Sequence, residues 1–119
     1  MAMALTIKQV SYILDCDKEL PTDEQTIFAL KPLSAKEYMV LTDEMDIKDG
    51  SIGNIGTYTY EILSKGLVGW SNLLDEEGKQ VKFGKDADTN IDRLAVDYRM
   101  ELTQAISELS TVSKAQVKN

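Results

Sequence analysis

The chain has no histidine, so it lacks both the commonest general base near neutral pH and the commonest metal ligand. Its single cysteine, Cys16, allows no internal disulfide, requires no oxidising compartment and has no imidazole partner to generate a thiolate. Zinc sites built from Cys and His are excluded with it. At the end of a predicted strand Cys16 reads as a small apolar filler. No apolar run reaches the ~20 residues needed to cross a bilayer, so no membrane partner is expected. Met1 to Leu5 is short and is followed by Thr6, Lys8 and Gln9, which does not read as a signal peptide. These absences lead to the expectation of a cytoplasmic protein.

Basic clusters are missing too. Thirteen Lys and Arg stand against 20 Asp and Glu, a formal net charge of −7. Nucleic-acid binding draws its affinity from cations that neutralise phosphates, and here Lys79, Lys82 and Lys85 are scattered among acids and glycines. Nucleic acid is therefore not an expected partner, and anionic membranes are disfavoured for the same reason. A basic or apolar protein partner fits the charge better.

Carboxylates are abundant, so their spacing decides whether they suit a metal. Asp86-Ala87-Asp88-Thr89-Asn90 matches the first alternating ligands of a calcium loop. The sixth position is Ile91 where that turn takes Gly, and the twelfth is Asp97 where it takes Glu. Helix capping by Asp and Asn accounts for the same run. Asp43-Glu44-Met45-Asp46 and Asp75-Glu76-Glu77 have no metal-loop spacing. The glycines at 50, 53 and 56 lack the Lys-Ser/Thr and the preceding strand of a phosphate loop. No catalytic residue, metal ligand or cofactor site is assigned, and the reading is non-enzymatic.

At 119 residues, 43% hydrophobic and 28% charged, the composition is that of one globular domain. Lys8 to Leu14 and Gln25 to Lys31 are rich in β-branched and aromatic residues and alternate, which predicts an antiparallel hairpin. The polar, Pro-centred Asp15 to Glu24 segment is its long loop. Ser34-Ala35-Lys36-Glu37 is a capping box, and the helix behind it, with Tyr38, Leu41 and Met45 on one face, is expected to end near Asp46. Lys48 to Asn54 reads as a mobile connection. A second helix is expected from about Ile55 to Leu67, with Ile55, Tyr58, Ile62 and Leu63 inward, closed by Gly66 or Gly69 in the left-handed region. A short strand from Gln80 to Phe83 and a loop from Gly84 to Asn90 follow. Ile91, Leu94, Ala95, Tyr98, Leu102, Ala105, Ile106 and Leu109 then recur at helical spacing, with Thr89 or Asn90 as cap. The expected fold class is α+β: an N-terminal antiparallel hairpin packed with about three helices, plus a short strand after the Trp70 segment. Residues 1–110 form the domain and 111–119 a polar, flexible tail.

Gly66 to Phe83 holds the only Trp and three of the seven glycines. Two readings of it stay open. Trp70 reads as a core anchor pinning a helix end to the sheet, or as part of an exposed apolar patch of Leu67, Val68, Trp70 and Phe83 that binds a partner, and the two are compatible if Trp70 is buried on one side only.

A family resemblance runs through these elements. Asp17-Lys18-Glu19-Leu20-Pro21 comes first, then Glu24 to Leu33, then the capped helix. Gly66-Leu67-Val68-Gly69-Trp70, the acidic Asp75-Glu76-Glu77-Gly78 turn and the strand ending at Phe83 follow in order. This order resembles the small tail assembly chaperones of long-tailed, siphovirus-type bacteriophages over roughly residues 12 to 110. The resemblance implies a non-enzymatic chaperone in the host bacterial cytoplasm. Such a protein coats the aggregation-prone tape-measure protein until tail-tube subunits replace it, with weak self-association along that client. It also implies a minority longer product made by frameshifting near Val117-Lys118-Asn119. Two alternatives remain: a structural tail component, such as a tube-end or joining protein kept in the virion, and a small acidic metal-binding module.

Overall fold

The computed structural model describes residues 8–44, 47–48, 51–53 and 55–111. Expectations that fall on Met45, Asp46, Asn54 and the 112–119 part of the tail lie outside the described residues.

The chain is α+β, as its patterning predicts. Strands β1 (Val10–Tyr12) and β2 (Ile27–Leu30) form the expected antiparallel hairpin, with Val10 opposite Leu30 and Tyr12 opposite Phe28. Their connector is not a plain loop. It contains two 3-10 turns, Asp15–Asp17 and Thr22–Glu24, and Asp17 Oδ2 accepts from the Thr26 N–H at 3.1 Å. Cys16 sits on the first turn and is exposed, which corrects its reading as a packed filler: the strand ends at Tyr12 and the turn swings the thiol outward.

Helix α1 (Ala35–Asp43) begins with the capping box read from the sequence. Glu37 N–H donates to Ser34 Oγ at 3.1 Å and Ser34 N–H donates to Glu37 Oε1 at 2.8 Å. The stretch expected to be a mobile connection instead contains a minimal antiparallel pair, β3 (Ile47–Lys48) and β4 (Ser51–Ile52). Helix α2 (Ile55–Gly66) then runs without any loop into β5 (Leu67–Ser71), which pairs antiparallel with the other side of β2.

β5 is the main departure from expectation. The third strand passes through the Trp70 segment, and Gln80 contributes only a single bridge to Leu74. Leu30 pairs with Leu67 while its neighbour Ala29 pairs with Gly69, so Val68 is an extra, bulged residue. A bulge shifts side-chain phase by one. Leu67 and Trp70, three apart in sequence, therefore meet Leu30 and Phe28 on the same face. Leu63, Leu67 and Trp70 thus keep helical spacing while the backbone has already become a strand.

Gly66 closes α2, but not in the left-handed region; among the described glycines only Gly78 has a positive φ, 81°. Its role is close approach. A Cβ at Gly66 would lie 2.5 Å from Ile106 Cγ2, so the missing side chain lets the end of α2 rest directly on the last helix.

The predicted long helix is two. Helix α3 (Ala87–Asp92) is followed by a turn, and α4 spans Val96–Leu109. Ala95 is extended, φ −62° and ψ 153°, and caps α4 through its backbone. No Gly or Pro marks the break, and Ile91 and Leu94 both still point inward, so the apolar rhythm continues across it. Neither Thr89 nor Asn90 is the cap. Asp86 is: its side chain accepts from the Asp88 N–H, and Thr89 Oγ1 donates to it at 2.8 Å. Asn90 is buried, and its amide donates to the Gly84 carbonyl at 3.0 Å while accepting from the Gly84 N–H at 2.9 Å.

The core lies between one face of the sheet and the helices, with Phe28, Leu30, Leu33, Ile62, Leu63, Leu94, Leu102 and Ile106 fully enclosed. Each such side chain contributes about 1.5–3 kcal/mol relative to exposure. Tyr38 and Tyr58 pack against this core, as expected. Ile55 and Tyr98, expected inward, are at the surface. The end of α4 is locked by Ser110, whose Oγ accepts from the Leu33 N–H at 2.9 Å and donates to the Ile106 carbonyl at 2.8 Å.

Candidate functional site

The Trp70 corner is built from β5, the acidic turn and the segment leading to Phe83. Trp70 packs edge-on between Phe28, 6.3 Å between ring centroids, and Phe83, 4.8 Å. Its indole N–H donates to the Val81 carbonyl at 2.8 Å. Behind it, Asn72 takes the positive φ of 61°. The Asn72 amide donates to the Asp23 and Gln25 carbonyls at 3.1 Å each, tying the β1–β2 connector to the end of β5.

The acidic turn is organised by Asp75, which accepts from the Glu77 and Lys79 N–H groups at 2.9 Å each. Gly78 supplies the left-handed residue that this turn requires. Val81 N–H then returns to the Leu73 carbonyl at 2.7 Å, which places the Val81 carbonyl under the indole.

Of the four residues read as a partner-binding patch, Leu67 is 6% exposed and belongs to the core. Val68, Trp70 and Phe83 are half-buried, and Trp70 and Phe83 face each other. The corner brings Leu67 and Phe83 to a cavity of about 120 Å³ that they share with Asn90 and Gly84. Leu67 therefore serves the core, while Trp70, half-buried, anchors the corner and keeps one side accessible.

A larger apolar opening lies elsewhere among the described residues. A groove of about 370 Å³ runs between α2 and the α3–α4 unit, lined by Ile55, Thr59, Tyr60, Ile91, Val96 and Met100 among others. Ile55 is 42% exposed, Val96 63% and Met100 45%. Periodicity places Ile55 inward and leaves Val96 and Met100 unmarked, because the inward stripe of α4 accounts for the pattern without them. Val96 and Met100, four apart, form a second stripe that the inward pattern does not need. A smaller apolar patch on α1, around Val40, is ringed by Lys36, Glu37, Glu44, Glu61 and Lys65.

Titratable groups form structural pairs. Glu101 Oε2 accepts from the Tyr12 hydroxyl at 2.7 Å and from the Asp15 N–H at 2.9 Å. Burial, and then the Glu101 carboxylate, push the Tyr12 hydroxyl above its usual range. The Ser34 N–H holds the Glu37 carboxyl below its usual range. Asp88 accepts from the Tyr60 hydroxyl, and Glu61 pairs with Lys65 at 2.8 Å one turn along α2. Among the described residues no three His, Cys, Asp or Glu side chains converge as a metal site would require. Nor is any described helix long and apolar enough to cross a membrane.

Comparison with known proteins returns no match: no family model, no curated sequence and no solved structure is similar to this chain.

Proposed function

We propose that this protein is a non-enzymatic assembly chaperone of a long-tailed bacteriophage, acting in the host cytoplasm on the tape-measure protein. The observation that carries the reading is the resemblance in segment order from Asp17 to Phe83. Support also comes from the physical unity of those segments: Asn72 and Trp70 bond the Asp17–Gln25 connector, the Gly-Leu-Val-Gly-Trp strand and the acidic turn into one corner. Exposed apolar side chains beside an acidic surface suit transient capture of a helical client, because modest contact area permits release when tube subunits arrive.

The test is co-expression with the tape-measure protein of the same phage. A chaperone keeps that protein in the soluble fraction and co-purifies with it, while mass analysis of finished virions finds the chaperone missing. Presence in the virion would favour a structural tail component. Failure to bind or solubilise the tape-measure protein would remove the proposal.

A further inference from the structure

We infer that the groove between α2 and α4 is a docking site for one amphipathic helix whose apolar stripe is flanked by Lys or Arg. The inference rests on the chaperone reading only for the natural owner of that helix.

The shape argument starts from two helices that diverge above the core. Ile62 and Leu102 are fully enclosed where α2 meets α4, but the next stripe out, Ile55 and Tyr60 on one wall and Val96 and Met100 on the other, lines an open groove, with Thr59 Oγ1 donating to Met100 Sδ at 3.9 Å across its floor. Gly56 lowers the α2 wall further; a Cβ there would touch no atom within 4 Å. Side chains four residues apart on each helix, Ile55 and Thr59 on α2 and Val96 and Met100 on α4, offer the ridges and grooves into which a third helix packs. Methionine on one wall lets the surface adapt to different apolar side chains.

Charge selects the occupant. Asp92 lines the groove and Asp88 stands at Tyr60 beside it, and among the described residues Asp92 pairs with no cation. The groove's own cation, Arg99, is held by its Nε donating to the carbonyl of Leu94, in the turn before α4, at 2.7 Å, and its single charge is outnumbered by those of Asp92 and Asp88. The whole chain carries −7. A second copy would carry the same overall charge of −7 and be disfavoured by net repulsion, whereas a basic helix is attracted.

The probe is a fluorescein-labelled synthetic helix with leucines at i, i+3, i+4 and i+7 flanked by lysines. A counterpart carries glutamates in place of the lysines. Fluorescence anisotropy is expected to show the basic peptide binding and the acidic one binding at least about tenfold more weakly, the gap narrowing with added salt. The double variant Val96→Ser/Met100→Ser is expected to lose about tenfold or more in affinity for the basic peptide. Both side chains are exposed, so its circular dichroism should match the parent. Amide chemical-shift changes should fall on α2 and α4. No binding, equal binding of both peptides, undiminished binding by the double variant, or shift changes confined to other elements would each overturn the inference. So would sedimentation showing that the groove closes against a second copy.

The tape-measure protein itself separates the two claims. If it binds the double variant as well as the parent, the groove fails and the chaperone reading stands. If the peptide binds through the groove and the tape-measure protein does not bind at all, the reverse holds.

Discussion

The Trp70 indole donates to the Val81 carbonyl at 2.8 Å, across the acidic turn that separates them. This bond closes the corner, since Val81 has no strand partner of its own beyond the link from its N–H to Leu73. Trp70→Phe keeps an aromatic between Phe28 and Phe83 but removes the donor. The expected cost is about 1–2 kcal/mol, at the lower end for an orphaned carbonyl because the site is half-buried. Urea unfolding followed by circular dichroism measures it; a variant as stable as the parent would mean that water replaces the indole without penalty.

Gly66 gives a sharper test of packing. A methyl placed there meets three atoms of the Ile106 side chain between 2.5 and 3.0 Å, and Ile106 is fully buried. Gly66→Ala should destabilise by about 1–3 kcal/mol through overpacking, despite the better helix propensity of alanine. Ile106→Ala alone should cost about 2–5 kcal/mol. Together they should cost clearly less than the sum, because the new methyl occupies space the isoleucine vacates. Strict additivity would show that the clash is relieved by backbone movement instead.

Asn90 works as a substitute strand. Its amide bonds both the N–H and the carbonyl of Gly84 and holds the Phe83–Lys85 segment against α3. Asn90→Ala removes both bonds, but Gly84 is exposed and water can take them over, so the cost should be about 1–2 kcal/mol. Hydrogen exchange should accelerate at Gly84 well beyond any change in α4, a pattern that simple global loosening would not give.

The capping box carries a pH signature. Bonding to the Ser34 N–H depresses the Glu37 pKa in the folded chain. Its contribution is therefore present above the unfolded value of about 4.3 and is lost as pH falls through the lower folded value. Glu37→Gln should be less stable than the parent by about 0.5–1 kcal/mol at pH 7, with the gap closing below about pH 4. Ser34→Ala should cost about 1 kcal/mol. A Glu37→Gln gap that stays constant with pH would show that the carboxylate charge plays no part.

The sequence was informative wherever a local rule had no competitor. The Ser34–Glu37 box, the β1–β2 hairpin and the Leu102–Ile106 face of α4 follow from capping chemistry and periodicity, and the structure contains them. It misled where a tertiary device imitated a local signal. The bulge at Val68 gave a strand the spacing of a helix. The break at Ala95 carried no Gly or Pro, and Leu94 remained in phase across it. Asn90 had the composition of a cap, while its partner turned out to be Gly84. At the corner, Trp70 and Phe83 stand out in the sequence because they are large and rare, and the structure packs their rings together. The Val96–Met100 stripe was passed over because exposure is decided by where α2 ends up, which no window of α4 reveals.

The position of β2 at the centre of the sheet has a kinetic consequence. Its partner β1 precedes it closely, but β5 follows only after α1, the β3–β4 pair and α2 have all been made. During synthesis β2 therefore emerges with one edge satisfied and the other bare, an unprotected template for pairing with another chain. Because α2 leads into β5 with no intervening loop, completing that helix delivers the missing strand at once. Slowing α2, for instance with a glycine at an exposed position such as Thr57, should lengthen the exposed interval and raise aggregation during refolding more than the loss in equilibrium stability accounts for.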